Sequence, residues 1–158
     1  MIKIDYLANH PEFLAEVSYW LYSTWGYNNA DCSSLEVARK YLESASNYRK
    51  LPLALIAMKG PQVIGTVTLK LHEMDNRLDL LHWMGFLFVE KTARGRGVAA
   101  ALIDDVISKA ASLEIDTIYL YTRDQESLYE HLGWRVVERT NYHGGPVVLM
   151  KKIIGKGS

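Results

Sequence analysis

Two arginines alternate with two glycines at Arg94-Gly95-Arg96-Gly97, directly ahead of Val98, Leu102, Ile103, Val106, Ile107 and Ala110, which recur at helical spacing. Those residue types at that place suit an anion. The first amides of a helix have no partner within it, and the aligned peptide dipoles put partial positive charge there. Gly95 and Gly97 carry no β-carbon, so a phosphate can come close to the main chain. Arg94 and Arg96 can add charge-assisted hydrogen bonds to it. The plainer alternative is a basic helix start that holds no ligand. A dinucleotide-binding turn also competes: Gly95-Arg96-Gly97-Val98-Ala99-Ala100 fits G-x-G-x-x-G/A, and Asp116 follows about twenty residues on. Asp116, however, precedes the next strand, whereas a ribose-binding acid belongs at that strand's far end. Too little chain then remains for a doubly wound sheet, and that reading is rejected. Other reactive side chains stand alone. Cys32 is the sole cysteine and has no activating neighbour, so it reads as an inert thiol. His10, His72 and His131 lack metal-ligand spacing, and no metal is expected.

The elements that would position this turn follow from periodicity. Ile2–Tyr6 predicts a short strand. Residues 11–25 predict a helix with Phe13, Val17, Trp20, Leu21 and Trp25 at helical spacing and Pro11 in its first turn. Ser33-Ser34-Leu35-Glu36 fits a capping box for a second helix. Leu53–Met58 and the period-two segment 63–71 form a hairpin around Lys59-Gly60-Pro61-Gln62. Leu78–Val89 reads as one long strand leading to the arginine–glycine turn. After the helix come a strand at Thr117–Tyr121 and a short helix at Glu126–Leu132 ended by Gly133. Val136–Arg139 and Pro146–Ile153 pair as the last strands. The order βααβββαβαββ mixes hairpins with one crossover, which makes an α+β fold on a mixed sheet.

Composition narrows the function classes. The chain has 158 residues, the size of one domain, expected over 1–154 with 155–158 fraying. Eighteen basic residues balance eighteen acidic ones, which argues against a dedicated nucleic-acid binder. The apolar run Trp83–Val89 falls far short of the roughly 18 residues of a membrane span. With one cysteine and no signal-peptide pattern, the chain is expected to be soluble and cytoplasmic.

Leu87-Phe88-Val89 followed by Arg94-Gly95-Arg96-Gly97-Val98-Ala99 resembles the acetyl-CoA signature, R/Q-x-x-G-x-G/A after a strand, of the GNAT superfamily of N-acetyltransferases. Leu128-Tyr129-Glu130-His131-Leu132-Gly133-Trp134 is similar to that family's later tyrosine–glycine segment, with Trp134 in place of phenylalanine. The helix near Asn9–Trp25 and the run Thr122-Arg123-Asp124-Gln125 further resemble the branch containing actin N-terminal acetyltransferases. The resemblance implies a GNAT-like twisted sheet flanked by helices, with acetyl-CoA as co-substrate. It implies that backbone groups of Leu87 and Val89, around Phe88, bind the pantetheine arm. Amides from Arg94 through Ala99, with Gly95, Arg96, Gly97 and Val98 between, would hold the pyrophosphate. Tyr129 would protonate the departing thiolate, with direct transfer to a primary amine and no acetyl-enzyme.

Elementary acid–base chemistry agrees with those roles. A thiol of pKa roughly 8.5 is a tolerable leaving group, and a phenol near 10 stays protonated to donate to it. Apart from the resemblance, Tyr129 reads as a packing aromatic on an amphipathic helix. The acceptor must lose a proton, which an α-amine of pKa near 8 does far more readily than a lysine near 10.4. Many family members carry a glutamate on the strand before the signature, but Gly85 stands about there. The base is left open among His82, Glu73, His143 and a chain of ordered waters. Strand alternation puts His82 on the face opposite Trp83, Gly85 and Leu87. Trp20 and Trp25 read as core, while Tyr22 and Tyr27 are freer to wall an acceptor pocket. The acceptor is a peptide N-terminus or a small-molecule amine. The competing class is a regulatory domain that binds acyl-CoA without chemistry, favoured by the missing carboxylate and opposed by Tyr129. The final strand's alternation leaves monomer and homodimer both open.

Overall fold

A computed structural model of the chain describes residues 1–155. Its strands are β1 (Ile2–Tyr6), β2 (Leu53–Lys59), β3 (Gln62–Lys70), β4 (Trp83–Val89), β5 (Thr117–Thr122), β6 (Arg135–Tyr142) and β7 (Gly145–Ile153). Between them run α1 (Leu14–Trp25), α2 (Leu35–Ser44), α3 (Val98–Ser112) and α4 (Glu126–His131). This is the predicted order βααβββαβαββ. Residues 156–158, most of the tail expected to fray, lie outside the described residues.

The seven strands form one sheet in the spatial order β1-β2-β3-β4-β5-β7-β6. Only β4 and β5 are parallel neighbours. A parallel pair needs a long crossover, and α3 supplies it by packing across β1 to β4. On the α3 side Leu55, Leu69, Leu102, Val106 and Ile118 are fully buried. On the opposite side Val17, Leu21, Leu42 and Ile56 are buried under α1 and α2.

The structure departs from the sequence reading at four places. Alternation along β3 is interrupted by a bulge, because Ala57 pairs with Gly65 and Met58 with Val63, leaving Ile64 extra. One inserted residue turns the later side chains over. Val63 therefore joins the α1–α2 core, while Val67 and Leu69 join the α3 core. Lys70 points towards α2, with its ammonium 5.5 Å from the Tyr41 ring.

The strand expected over Leu78–Val89 begins only at Trp83. The stretch before it is a loop turned by hydrogen bonds from Arg77 N to Met74 O and Leu80 N to Arg77 O, and His82 has φ +77°. Two apolar residues of the loop anchor it: Met74 and Leu80 pack with Trp83, Tyr142, Val147 and Leu149 in a third small core, while Leu71, Leu78 and Leu81 stay exposed. The helix over 11–25 opens with a tighter turn at Pro11–Phe13 before α1.

The capping box does not form, because the cap lies one residue later and Val37 takes the place Glu36 would need. Ser34 rather than Ser33 caps α2, its Oγ accepting from Val37 N at 3.1 Å. Ser34→Ala should cost about 1 kcal/mol, read as a lower urea midpoint with an unchanged slope.

Candidate active site

The site exists because β4 turns away from β5. Phe86 has φ +53°, and β4 pairs with β3 at Gly85–Thr68 and again at Phe88–Thr66. Two residues, Phe86 and Leu87, thus stand opposite the single Val67, a bulge that bends the strand. Pairing with β5 shrinks to Trp83 opposite Tyr119, and beyond it the two strands splay. Two hollows fill the wedge.

The larger, about 730 Å³, runs along Leu87, Phe88 and Val89 to Arg94, Gly95, Gly97, Val98 and Ala99. Gly95 and Gly97 take the left-handed conformation, with φ +77° and +82°, and among the described residues nothing beyond the chain neighbours lies within 4 Å of either one's would-be β-carbon. α3 starts at once after Gly97 without a side-chain cap. Its ladder first closes at Ala101 N to Gly97 O, 3.0 Å, which leaves the three preceding helix amides without intrahelical partners. Such a groove, ending on bare amides, fits a long substrate with phosphates at one end.

The arginines divide. Arg94 Nε donates to Val89 O at 2.9 Å, which pins its guanidinium beside the groove and engages one of the carbonyls expected to meet the pantetheine arm. Arg96, contrary to expectation, lines a separate hollow with Ile2 and Gln62, because the turn sends its side chain to the β1 side. Phe88 borders the groove, yet its ring stacks on Trp20 at 4.9 Å.

The smaller hollow, about 370 Å³, lies across the wedge and includes Glu73, Gly85, Phe86, Tyr121 and Arg123. Trp25, Leu87 and Tyr129 line both hollows. Tyr129, on α4, is 8% exposed and meets Trp134 edge-on with 5.9 Å between ring centroids. Burial, with help from the nearby Asp124 charge, pushes its phenol up to about 12. A group so placed keeps its proton through the neutral range.

Of the base candidates, only Glu73 reaches this hollow. His82 sits at the loop–strand junction outside both hollows, its imidazole pushed down by burial. His143 stacks on Tyr142 at 4.0 Å and its Nδ1 donates to Asn28 O at 3.0 Å, also outside the hollow. Trp25 packs against the α1–α2 core as its spacing implies, its ring 5.2 Å from that of Phe86, and also lines both hollows. Tyr22 does not line it, whereas Tyr27 does. Cys32 is buried, and that burial pushes its thiol up to about 11, in keeping with inertness.

Arg123 stands at the rim. Its Nη2 donates to Tyr142 O at 3.1 Å, and among the described residues no carboxylate lies within ion-pair distance. Gly145 makes room for it, since a β-carbon there would stand 2.9 Å from Arg123 Nη1.

This chain belongs to the GNAT family: the family's model, described as an acetyltransferase (GNAT) domain, matches residues 52–136, more than half of the sequence. It is accordingly an acetyltransferase that works with acetyl-CoA. Human N-acetylaspartate synthetase is 29% identical over 125 residues, which make up 70% of this chain and 40% of that protein. The chain thus spans about two fifths of the length of that curated relative. An aminoglycoside 6'-N-acetyltransferase complexed with coenzyme A superposes with a TM-score of 0.75 at 20% identity, covering 98% of this chain and 97% of that one. A putative acetyltransferase from Salmonella typhimurium with its cofactor acetyl-CoA gives 0.75 at 13% identity, covering 99% and 96%. Ribosomal-protein-alanine N-acetyltransferase from Brucella melitensis gives 0.72 at 19%, covering 97% and 99%. At these identities the likeness is one of fold. Among the described residues, no helix is long and apolar enough to cross a membrane.

Proposed function

We propose that the chain transfers the acetyl group of acetyl-CoA directly to a primary amine held in the smaller hollow. What carries the reading is the shared wall: Tyr129 lines both hollows, where a thioester arriving along one would meet an amine arriving from the other. The amine nitrogen attacks the thioester carbonyl, the C–S bond breaks, and the sulfur takes the Tyr129 proton. The larger hollow supplies the donor's seat, with Leu87 and Val89 beside the arm and the amides after Gly97 against the pyrophosphate.

Arg123 narrows the acceptor class. A guanidinium without a carboxylate partner at the rim of an amine site favours an acceptor that carries an anionic group of its own. The name of the human relative points the same way, since its product is acetylated aspartate. Acidic amino acids and peptides with acidic N-termini are the acceptors proposed here.

The test is free-thiol release from acetyl-CoA with a panel of acidic, neutral and basic amines. Release above hydrolysis, greatest with acidic acceptors, is expected. Tight acetyl-CoA binding without turnover on any amine would overturn the reading in favour of a regulatory domain. Arg123→Gln should raise KM for the acidic acceptors about tenfold or more, the worth of one charge-assisted hydrogen bond. Neutral acceptors should keep their kcat/KM in that variant.

A further inference from the structure

The position on β4 where the family's strand carboxylate was sought is Gly85, yet the space is not empty. A β-carbon built on Gly85 would overlap Glu73 Oε2, with Glu73 Cδ at 3.1 Å and Lys70 Cδ at 3.2 Å. A carboxylate delivered from the loop between β3 and β4 therefore fills the volume that a strand side chain would need. Its side chain is 8% exposed, and the residue lines the smaller hollow together with Gly85, Leu87 and Tyr129.

A carboxylate so buried would normally surrender its charge by binding a proton. Lys70 places a compensating charge beside it. Its Nζ donates to Glu73 Oε1 at 2.6 Å, and the lysine side chain is itself only 5% exposed. The ammonium is held by Asp31 Oδ2 at 3.7 Å and by the face of Phe86, 4.3 Å from the ring centroid. Oε1 is thus tied to the lysine. Oε2, on the Gly85 side, has no hydrogen-bond partner among the described residues.

We infer that Glu73 receives the acceptor's ammonium group on Oε2 and takes the proton it must lose, while Lys70 is the positioning residue that holds the carboxylate ready. This rests on the amine-transfer reading above. An ammonium group has two protons to lose in becoming an amide. One goes to Glu73 before attack and leaves to solvent. The other, lost after the C–N bond forms, replaces the proton that Tyr129 gave to the thiolate. The products are amide, thiol and one released proton. The smaller hollow would then bind an acceptor at two points, its amine at Glu73 and its own anionic group at Arg123.

The groups around Glu73 are Lys70 from β3, Asp31 and Cys32 from the turn before α2, Tyr41 from α2, Tyr121 from β5 and Tyr142 from β6, with Tyr27, Arg123, Asp124 and Tyr129 lining the same hollow. Burial pushes the Cys32 thiol and the phenols of Tyr41, Tyr121 and Tyr142 up, so the charged groups around Glu73 are Lys70 and Asp31 beside it and Arg123 and Asp124 across the hollow.

The experiment is a pH–rate series on the whole chain, with acetyl-CoA affinity measured in parallel by calorimetry. Glu73→Gln should lower kcat/KM about 100-fold or more, lose the acidic limb of the profile, and bind acetyl-CoA as the wild type does. Lys70→Met should move the acidic limb to higher pH, because a buried carboxylate stripped of its cation holds a proton more readily. Gly85→Glu placed in a Glu73→Ala background, where the space is vacated, should recover at least about tenfold over Glu73→Ala alone. Should Glu73→Gln not fold, Glu73→Asp decides: it keeps the charge and withdraws it by one methylene, so kcat should fall with acetyl-CoA affinity intact. A Glu73→Gln enzyme within threefold of wild type, or one whose loss merely follows lost acetyl-CoA affinity, overturns the inference. A wild type that acetylates no amine overturns the amine-transfer reading instead, so the two failures are distinct.

Discussion

Gly97→Glu is expected to abolish measurable acetyl-CoA binding while the chain still folds. Gly97 sits at φ +82°, one residue before α3, with open space where a β-carbon would stand. A β-carbon there meets nothing among the described residues, so the cost to folding is the left-handed backbone, about 1–2 kcal/mol. That lowers Tm by several degrees without changing the far-ultraviolet dichroism. The cost to binding is much larger. The new carboxylate competes for the same uncapped amides and repels the pyrophosphate at short range. Loss of two charge-assisted hydrogen bonds at about 1.5–3 kcal/mol each corresponds to a Kd raised at least about 100-fold, measured by titration calorimetry. A dissociation constant within threefold of wild type would move the phosphate site elsewhere.

Tyr129→Phe should lower kcat about 100- to 1000-fold and leave KM for acetyl-CoA within a small factor. The substitution deletes one oxygen and keeps the ring that packs edge-on against Trp134. A stopped reaction in a folded, donor-binding protein would assign the hydroxyl to chemistry and the ring to packing. The pH dependence carries a sign as well. The phenol is pushed up to about 12 in the fold, from about 10 in an unfolded chain. The fold thus favours the neutral form. That contribution to stability is whole below pH 10 and is lost as pH rises from there to about 12. The wild-type rate should accordingly show no alkaline limb owed to Tyr129 below about pH 11. A kcat unchanged by removing the hydroxyl would end its assignment as the acid.

The order of elements was legible because each rests on local pattern: the stripe from Val98 to Ala110, the apolar run Leu53–Met58, the glycine after α4. The phosphate turn was legible for the same reason, since Gly95 and Gly97 announce their conformation in their identity. What escaped depends on the third dimension. The Leu78–Leu81 segment looked like strand because leucines of a loop, one buried at Leu80 and two exposed at Leu78 and Leu81, have the same composition as a strand. Alternation along β3 failed at Ile64 because a bulge leaves no mark in a run of β-branched residues. Arg96 and Arg94 share a motif, but a turn sends neighbouring side chains in different directions. Trp25 had core spacing and packs on the core, but it is also a wall because α1 ends at the wedge. The carboxylate in the acceptor hollow was the hardest to see. Gly85 marked a vacancy on the strand, and only the folding back of the loop after β3 puts Glu73 into it.

The single rung at Trp83 and Tyr119 divides the sheet into a leaf of four strands and a leaf of three. A donor molecule lying in the gutter would touch both leaves and do for them what the missing rungs do elsewhere in the sheet. Its attachment then enters the cohesion of the whole chain, by about 2.7 kcal/mol when it is present at a hundred times its dissociation constant. The folded population, and with it resistance to proteolysis, would rise and fall with the supply of the coenzyme.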